Sequence, residues 1–237
     1  ARTGANRGWG GPKSEQVDPE SNPDFKEVFD CGRELPPGHP LAERDLSVYA
    51  PNLWPPGMPE FRATVERYFD GAMGVAMSLL RAIAGAMGDE SAFDRAFDPP
   101  MALLRGNYYP PRPDWAGDKD FGIASHTDYG CITLLATDGV PGLEVRMPSG
   151  EWQMVRAEPG EFIINFGEML EFWTDGAAKA TLHRVRGGPE ERISVPLFFN
   201  PSYDANVAPP GSGKVIRAGE HLNRRFSETY VHLQNRA

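Results

Sequence analysis

Cysteine is nearly absent: Cys31 and Cys131 are the only two in 237 residues, too few for a disulfide framework. Cys131 falls in the apolar run before ITLL and is expected to be buried. A reducing, cytoplasmic setting is the corresponding expectation. Positive charge is also short. Lys and Arg number 24 against 33 Asp and Glu, for a formal charge of −9 and a pI near 5.1. There is no basic stripe, so nucleic acid is not expected as a partner. No apolar run approaches the length of a membrane span, and the first residues carry no signal-peptide apolar region, so no membrane association is expected.

What is present bounds the fold. The 237 residues and 26.1 kDa suffice for one sizeable core, and a single domain over 1–237 is expected. Residues 1–100 read as loops and a long supporting helix, 101–200 as a β-rich core, and 201–237 as a loop and a helix. Pro and Gly punctuate the first 59 residues, with a short strand or turn of helix at FKEVFDCG and turns through APNLWPPGMP. His39, between Gly38 and Pro40, reads as a turn residue. From Glu60 to about Gly88, apolar residues recur at three and four, including Phe61, Val65, Ala72, Ala76, Leu80 and Ile83. That spacing predicts one amphipathic helix, bounded by Pro59 and Gly88. A shorter helical turn is expected over 91–97.

Beyond Met101 the pattern becomes strand after strand, at 102–109, 122–136, 143–147, 152–156, 161–166, 170–174, 182–186 and 193–200, separated by DGVPG, MPSGE and EPGE. Strands at this spacing favour a sandwich, jelly roll or barrel over a parallel α/β sheet. The expected fold is mainly β with flanking helices, around a double-stranded β-helix, or jelly roll. At the end, a helix from about Gly219 carries Leu222, Phe226, Tyr230 and Leu233 on one stripe. His221 and His232 fall off that stripe and are expected in solvent.

Chemistry concentrates in two stretches. In FGIASHTDYGCITLLA, His126 and Asp128 stand two residues apart. In an extended chain, such residues share a face with origins about 6 to 7 Å apart, close enough to converge on one ion. In TLHRVRGGPEERISVPLFF, His183 would complete a two-histidine, one-carboxylate set, leaving three positions of an octahedral iron open. Arg192 and Ser194 again stand at i and i+2, a guanidinium and a hydroxyl suited to a carboxylate. The plainer reading of Arg192 is a salt bridge to Glu190 or Glu191.

With these residues together, the sequence resembles the iron(II)- and 2-oxoglutarate-dependent dioxygenases, in the isopenicillin-N-synthase-like branch that includes flavonoid, gibberellin and antibiotic-pathway enzymes. The pattern H-x-D, a gap, H, then R-x-S appears as His126, Asp128, His183, Arg192 and Ser194, framed by GNYYPPRP, PGLEVR and PGEFIINFGEMLEFWTDGAAKATLHRV. The resemblance implies Fe(II) held by His126, Asp128 and His183, with 2-oxoglutarate and O2 as cosubstrates. It places the far carboxylate of 2-oxoglutarate on Arg192 and Ser194, with Tyr109 and Asn107 assisting. The implied enzyme oxidises a C–H bond of a small molecule, such as an amino acid or natural-product intermediate, and releases succinate and CO2. Hydroxylation is the usual outcome, and desaturation or ring closure are others. Asp128 argues against halogenation, because family halogenases carry a small residue there. The likeness further implies that residues precede Ala1.

Alternation along Leu103 to Tyr109 puts Arg105, Asn107 and Tyr109 on one face and turns Tyr108 away. Phe198, on the face of Arg192, is a substrate-wall residue in this reading, with Phe121, Ile123 and Leu134 behind it; each is otherwise plain core. Arg105 would meet a substrate carboxylate or pair with an acid on a neighbouring strand. Two other readings stay open. One is an oxidase of the isopenicillin-N-synthase type, which shares the triad and R-x-S but uses no 2-oxoglutarate. The other is a non-catalytic jelly-roll binding protein. Substrate identity and oligomeric state stay open as well.

Overall fold

The computed structural model describes residues 5–87, 91 and 93–230. Two antiparallel sheets form its centre. The larger runs in the order β1 (Gly8–Gly10), β2 (Glu27–Gly32), β3 (Met101–Tyr109), β10 (Arg192–Asn200), β5 (Ile132–Thr137) and β8 (Ile163–Phe166). The smaller runs β4 (Ile123–His126), β9 (His183–Val185), β6 (Leu143–Arg146) and β7 (Trp152–Val155). This is the jelly roll expected from the strand spacing.

Period-2 alternation sorts the larger sheet into two environments. Leu104, Leu134, Leu197 and Phe199 point outward into a core built with the long helix α1 (Pro59–Ala86). Leu103, Arg105, Asn107 and Tyr109 of β3, Thr133 and Leu135 of β5, and Ser194, Pro196 and Phe198 of β10 line a cavity on the other face. The 28 residues of α1 start with Pro59 in the first turn, where its missing N–H costs nothing. Its buried stripe is Phe69, Ala72, Ala76, Leu80 and Ala84, and the three alanines let the helix lie close to the sheet. Truncating the fully buried Leu80 to Ala would cost roughly 2–5 kcal/mol.

Several expectations change. By length and composition alone, α1 is long and apolar enough to cross a membrane, contrary to the expectation that no run approaches that length. The segment read as a strand at 170–174 is instead the helix α2 (Glu168–Trp173), where Met169 and Leu170 are buried together, as a helix permits and an alternating strand does not. RGWGG, read as loop, forms β1 against β2. The long strand at 122–136 divides into β4 and β5, and Cys131 lies fully buried just before β5. The turn at 91–97 is a 3-10 turn over Asp94–Phe97. The C-terminal helix α3 spans Ala218–Thr229. Gly88, His232 and Leu233 lie outside the described residues.

Candidate metal and cosubstrate site

β4 and β9 pair with His126 opposite His183, which sets the two rings 4.3 Å apart between centroids. Asp128 is not in the strand; it lies two residues past His126, in the loop that leads to β5. Its Oδ1 approaches Nε2 of His126 at 4.0 Å and Nε2 of His183 at 3.8 Å. The three ligand atoms fall within 4.8 Å of one another. The loop is held by α2: the backbone N–H of Glu168 donates to the Asp128 carbonyl at 2.8 Å. Gly167 makes this approach possible, because a Cβ there would sit 2.3 Å from the Gly130 carbonyl oxygen.

Hydrogen bonds fix how each ring is turned. Nδ1 of His126 lies 2.8 Å from the Ala124 carbonyl, and Nδ1 of His183 lies 2.9 Å from the Thr181 carbonyl. A carbonyl only accepts, so each Nδ1 donates to its carbonyl and each Nε2 is turned toward Asp128. Burial, reinforced by His183 and opposed by Asp128, lowers the His126 pKa to about 3. A neutral imidazole is the form that ligates metal. Asn165 of β8 donates to Oδ2 of Asp128 at 2.7 Å, which leaves Oδ1 facing the histidines. One carboxylate and two imidazoles within reach of one point suit a divalent iron with open positions.

A second cluster follows from strand register. Arg192 lies opposite Tyr109, and Ser194 opposite Asn107. The Arg192 guanidinium sits over the Tyr109 ring at 5.2 Å, and its Nε donates to the Val140 carbonyl at 3.1 Å. Its Nη1 is buried without a partner, as is Oδ1 of Asn107. Among the described residues no ion pair includes Arg192; Glu191 instead accepts from the Tyr108 hydroxyl at 2.9 Å. A buried guanidinium with an unused N–H needs an anionic partner. The distal carboxylate of 2-oxoglutarate fits that need.

Both clusters open into one cavity of about 140 Å³, which Phe198 and Arg105 also line. Arg105 is not unpaired there: it binds Asp30 through Nε and Nη2 at 2.7 and 3.0 Å, and Glu15 through Nη1 at 2.9 Å. Leu134 and Phe121 do not reach this cavity. Leu134 points to the α1 side because it is one residue out of phase with Thr133 and Leu135. Phe121 precedes β4 and lines a separate hollow with Phe25 and Trp115. Glu15, Lys26 and Asn165 line the cavity without having been singled out in the sequence. The period-2 pattern that places Lys26 beside Val28 and Asp30 on one face was the available signal.

His221 is a further correction. It is buried, with Nε2 3.1 Å from the Tyr129 carbonyl and 3.1 Å from Glu168. Glu168 also accepts from the Thr127 hydroxyl at 2.7 Å and pairs with Arg225 at 3.2 Å. The network ties α3 to the residue between two of the candidate ligands. The helical stripe missed it because His221 precedes Leu222 and faces the loop rather than the sheet.

Jelly-roll topology and a facial pair of histidines with a carboxylate define a class of non-haem iron proteins. Residues 100–201 match the model of the 2OG-Fe(II) oxygenase superfamily, and residues 1–57 match that of the non-haem dioxygenase in morphine synthesis N-terminal region. The 2-oxoglutarate-dependent dioxygenase traH of Penicillium crustosum is 34% identical over 94% of this chain and 70% of its own. A homoarginine-6-hydroxylase of Oryza sativa is 34% identical over 90% of this chain and 69% of its own. Among solved structures, a full-length Neurospora crassa protein in complex with alpha-KG and thymine superposes with a TM-score of 0.77, at 32% identity, over 94% of this chain and 74% of that one. The chain belongs to the 2-oxoglutarate- and Fe(II)-dependent oxygenases, and the N-terminal match accords with the isopenicillin-N-synthase-like branch. The chain spans 58% to 70% of the length of the curated relatives it matches.

Proposed function

We propose that this chain is an oxygenase that couples the oxidative decarboxylation of 2-oxoglutarate to oxidation of an unactivated C–H bond in a small molecule, with hydroxylation as the outcome and succinate and CO2 as co-products. His126 and His183 through Nε2 and Asp128 through Oδ1 hold Fe(II) in this reading. Bound together, iron and 2-oxoglutarate supply the activation of O2. The chain's own residues do the positioning. Arg192 takes the distal carboxylate in a charge-assisted pair and Ser194 adds a hydroxyl. The Tyr109 ring keeps water off the guanidinium, and Asn107 braces Ser194 at 3.3 Å. Phe198 and α3 close the opposite side of the cavity, where a substrate would displace solvent.

The observation that carries this reading is the unpartnered Nη1 of Arg192 in the cavity that also receives both Nε2 atoms and Oδ1 of Asp128. An oxidase of the isopenicillin-N-synthase type carries the same R-x-S pair, so this nitrogen argues for an anionic ligand, and the titration below separates 2-oxoglutarate from a substrate carboxylate. One relative is crystallised with an uncharged base and another is named for hydroxylating an amino acid, which supports a small-molecule substrate here. Two free, buried cysteines support a reducing, cytoplasmic setting.

The test is an anaerobic titration of the Fe(II)-loaded protein with 2-oxoglutarate, following the visible metal-to-ligand charge-transfer band of a chelated keto acid. The band should form and should disappear in Asp128→Ala. Iron binding without a band would transfer the chain to the oxidase reading, and absence of iron binding would refute the ligand set.

A further inference from the structure

We infer that the substrate of this site is an uncharged, mainly apolar molecule that presents a hydrogen-bond acceptor, such as a carbonyl, to the wall around Lys26. The inference rests on the reading of the site given above and adds a substrate class to it.

Apart from Arg192 and the candidate ligand Asp128, the charged side chains that line the cavity are Glu15, Lys26 and Arg105, and all are buried. Lys26 Nζ donates to Asp24 at 2.7 Å and pairs with Glu15 at 3.0 Å. Arg105 holds Asp30 through two nitrogens and Glu15 at 2.9 Å. Arg7, buried within electrostatic reach of Asp30, balances the set. Behind the wall, Lys26 and Arg105 are met by Glu15, Asp24 and Asp30, with Arg7 outside the cavity lining, so among the described residues three cations face three carboxylates. Each charge is compensated inside the protein before any ligand arrives. At the other end, Arg192 is committed to the cosubstrate. A ligand carboxylate or ammonium would enter this space with no opposite charge to meet, at the cost of its own desolvation.

Polar capacity does remain, and it consists of donors. An ammonium has three N–H groups, and the two carboxylate partners of Lys26 leave one for a ligand. Asn200 accepts the Cys131 N–H through Oδ1 at 2.9 Å, so its NH2 group is the part left for the cavity. Leu103, Phe198, Leu222 and Phe226 complete an apolar surround. A body that fills this space and offers an oxygen or ring nitrogen acceptor satisfies the wall; a charged group does not.

The anaerobic Fe(II)–2-oxoglutarate holoenzyme would be titrated at neutral pH with benzamide, benzoate and benzylamine, which share one ring and differ in charge. Binding would be read by calorimetry and by perturbation of the charge-transfer band. Benzamide should bind at least about tenfold more tightly than either charged analogue, given the penalty of an unpaired buried charge. In Glu15→Gln, which removes one carboxylate from the wall, benzoate should gain about tenfold while the band with 2-oxoglutarate still forms. Equal or tighter binding of benzoate or benzylammonium to the unmodified enzyme would overturn the inference. Failure of benzamide to bind up to its solubility limit would do the same, as would no gain for benzoate in the variant. A missing charge-transfer band before any fragment is added would instead count against the function proposed above.

Discussion

The side-chain amide of Asn165 donates to Oδ2 of Asp128 at 2.7 Å, while Oδ1 of the same carboxylate faces Nε2 of both His126 and His183. Because a carboxylate only accepts, the contact also fixes which end of the Asn165 amide points to it. Asn165→Ala should free Asp128 to rotate and weaken divalent metal binding by about 10–100-fold, the usual effect of losing a group that orients a ligand. Co(II) titration followed by its visible absorption measures this without turnover. Unchanged affinity would show that the loop alone fixes Asp128.

Arg192→Ala should weaken 2-oxoglutarate while sparing metal. A hydrogen bond to a charged group contributes about 1.5–3 kcal/mol, so the cosubstrate dissociation constant should rise about 10- to 150-fold. Arg192→Lys should recover only part of this, because a point charge does not reproduce a planar fork stacked on Tyr109. Parallel Co(II) and 2-oxoglutarate titrations separate the two effects, and a comparable loss of metal affinity would mean that Arg192 supports the fold instead.

Much of the site was legible because its parts are repeated local patterns. The i, i+2 pairs Asn107/Tyr109 and Arg192/Ser194 share faces in the structure because strands alternate, and antiparallel register then brings each pair opposite the other. Alternation fails where strand phase is misjudged by one residue, which sent Leu134 to the wrong side of the sheet. The stretch at 170–174 was misread because a short apolar run has no periodicity that separates a buried helix from a buried strand. Glu15 and His221 were illegible for another reason. Their partners lie up to 92 residues away for His221 and 90 for Glu15, and no local pattern announces a contact of that range.

His221→Ala should destabilise the protein, although spacing alone had placed this residue in solvent. The substitution strands the Tyr129 carbonyl and removes one partner of Glu168, which keeps Thr127 and Arg225. An unsatisfied buried acceptor costs about 1–3 kcal/mol. Equilibrium denaturation should show that loss, whereas His39→Ala, in a turn where the half-buried ring accepts the Leu41 N–H at 3.1 Å, should cost about 1 kcal/mol or less. Equal stability of the two variants would refute the tie between α3 and the metal loop.

Thiol reactivity gives a readout of packing that does not involve the metal. Burial pushes the Cys31 pKa up to about 12 and raises that of Cys131 as well. Since the thiolate is the nucleophile, both should be inert at about pH 8 in the folded protein. A disulfide reagent should therefore release almost no colour from the native protein and two equivalents after unfolding in guanidinium. Rapid labelling of one thiol under native conditions would place Cys31 at an opening that the packing of β2 does not have.

Arg105 tests whether the charged wall is structural, selective or both. Its guanidinium satisfies Asp30 and Glu15 together and reaches the Tyr230 hydroxyl at 3.2 Å, so it ties β2, the N-terminal segment and the end of α3 to β3. Arg105→Met keeps the stem but leaves two buried carboxylates short of a cation, at a cost of about 3–5 kcal/mol. Asp30→Asn in the same background removes one of those negative charges and should return part of the stability, so the double variant should be more stable than Arg105→Met alone. Additive losses would mean that the two residues act independently. Such a result would also remove the basis for treating the wall as a closed set of compensated charges.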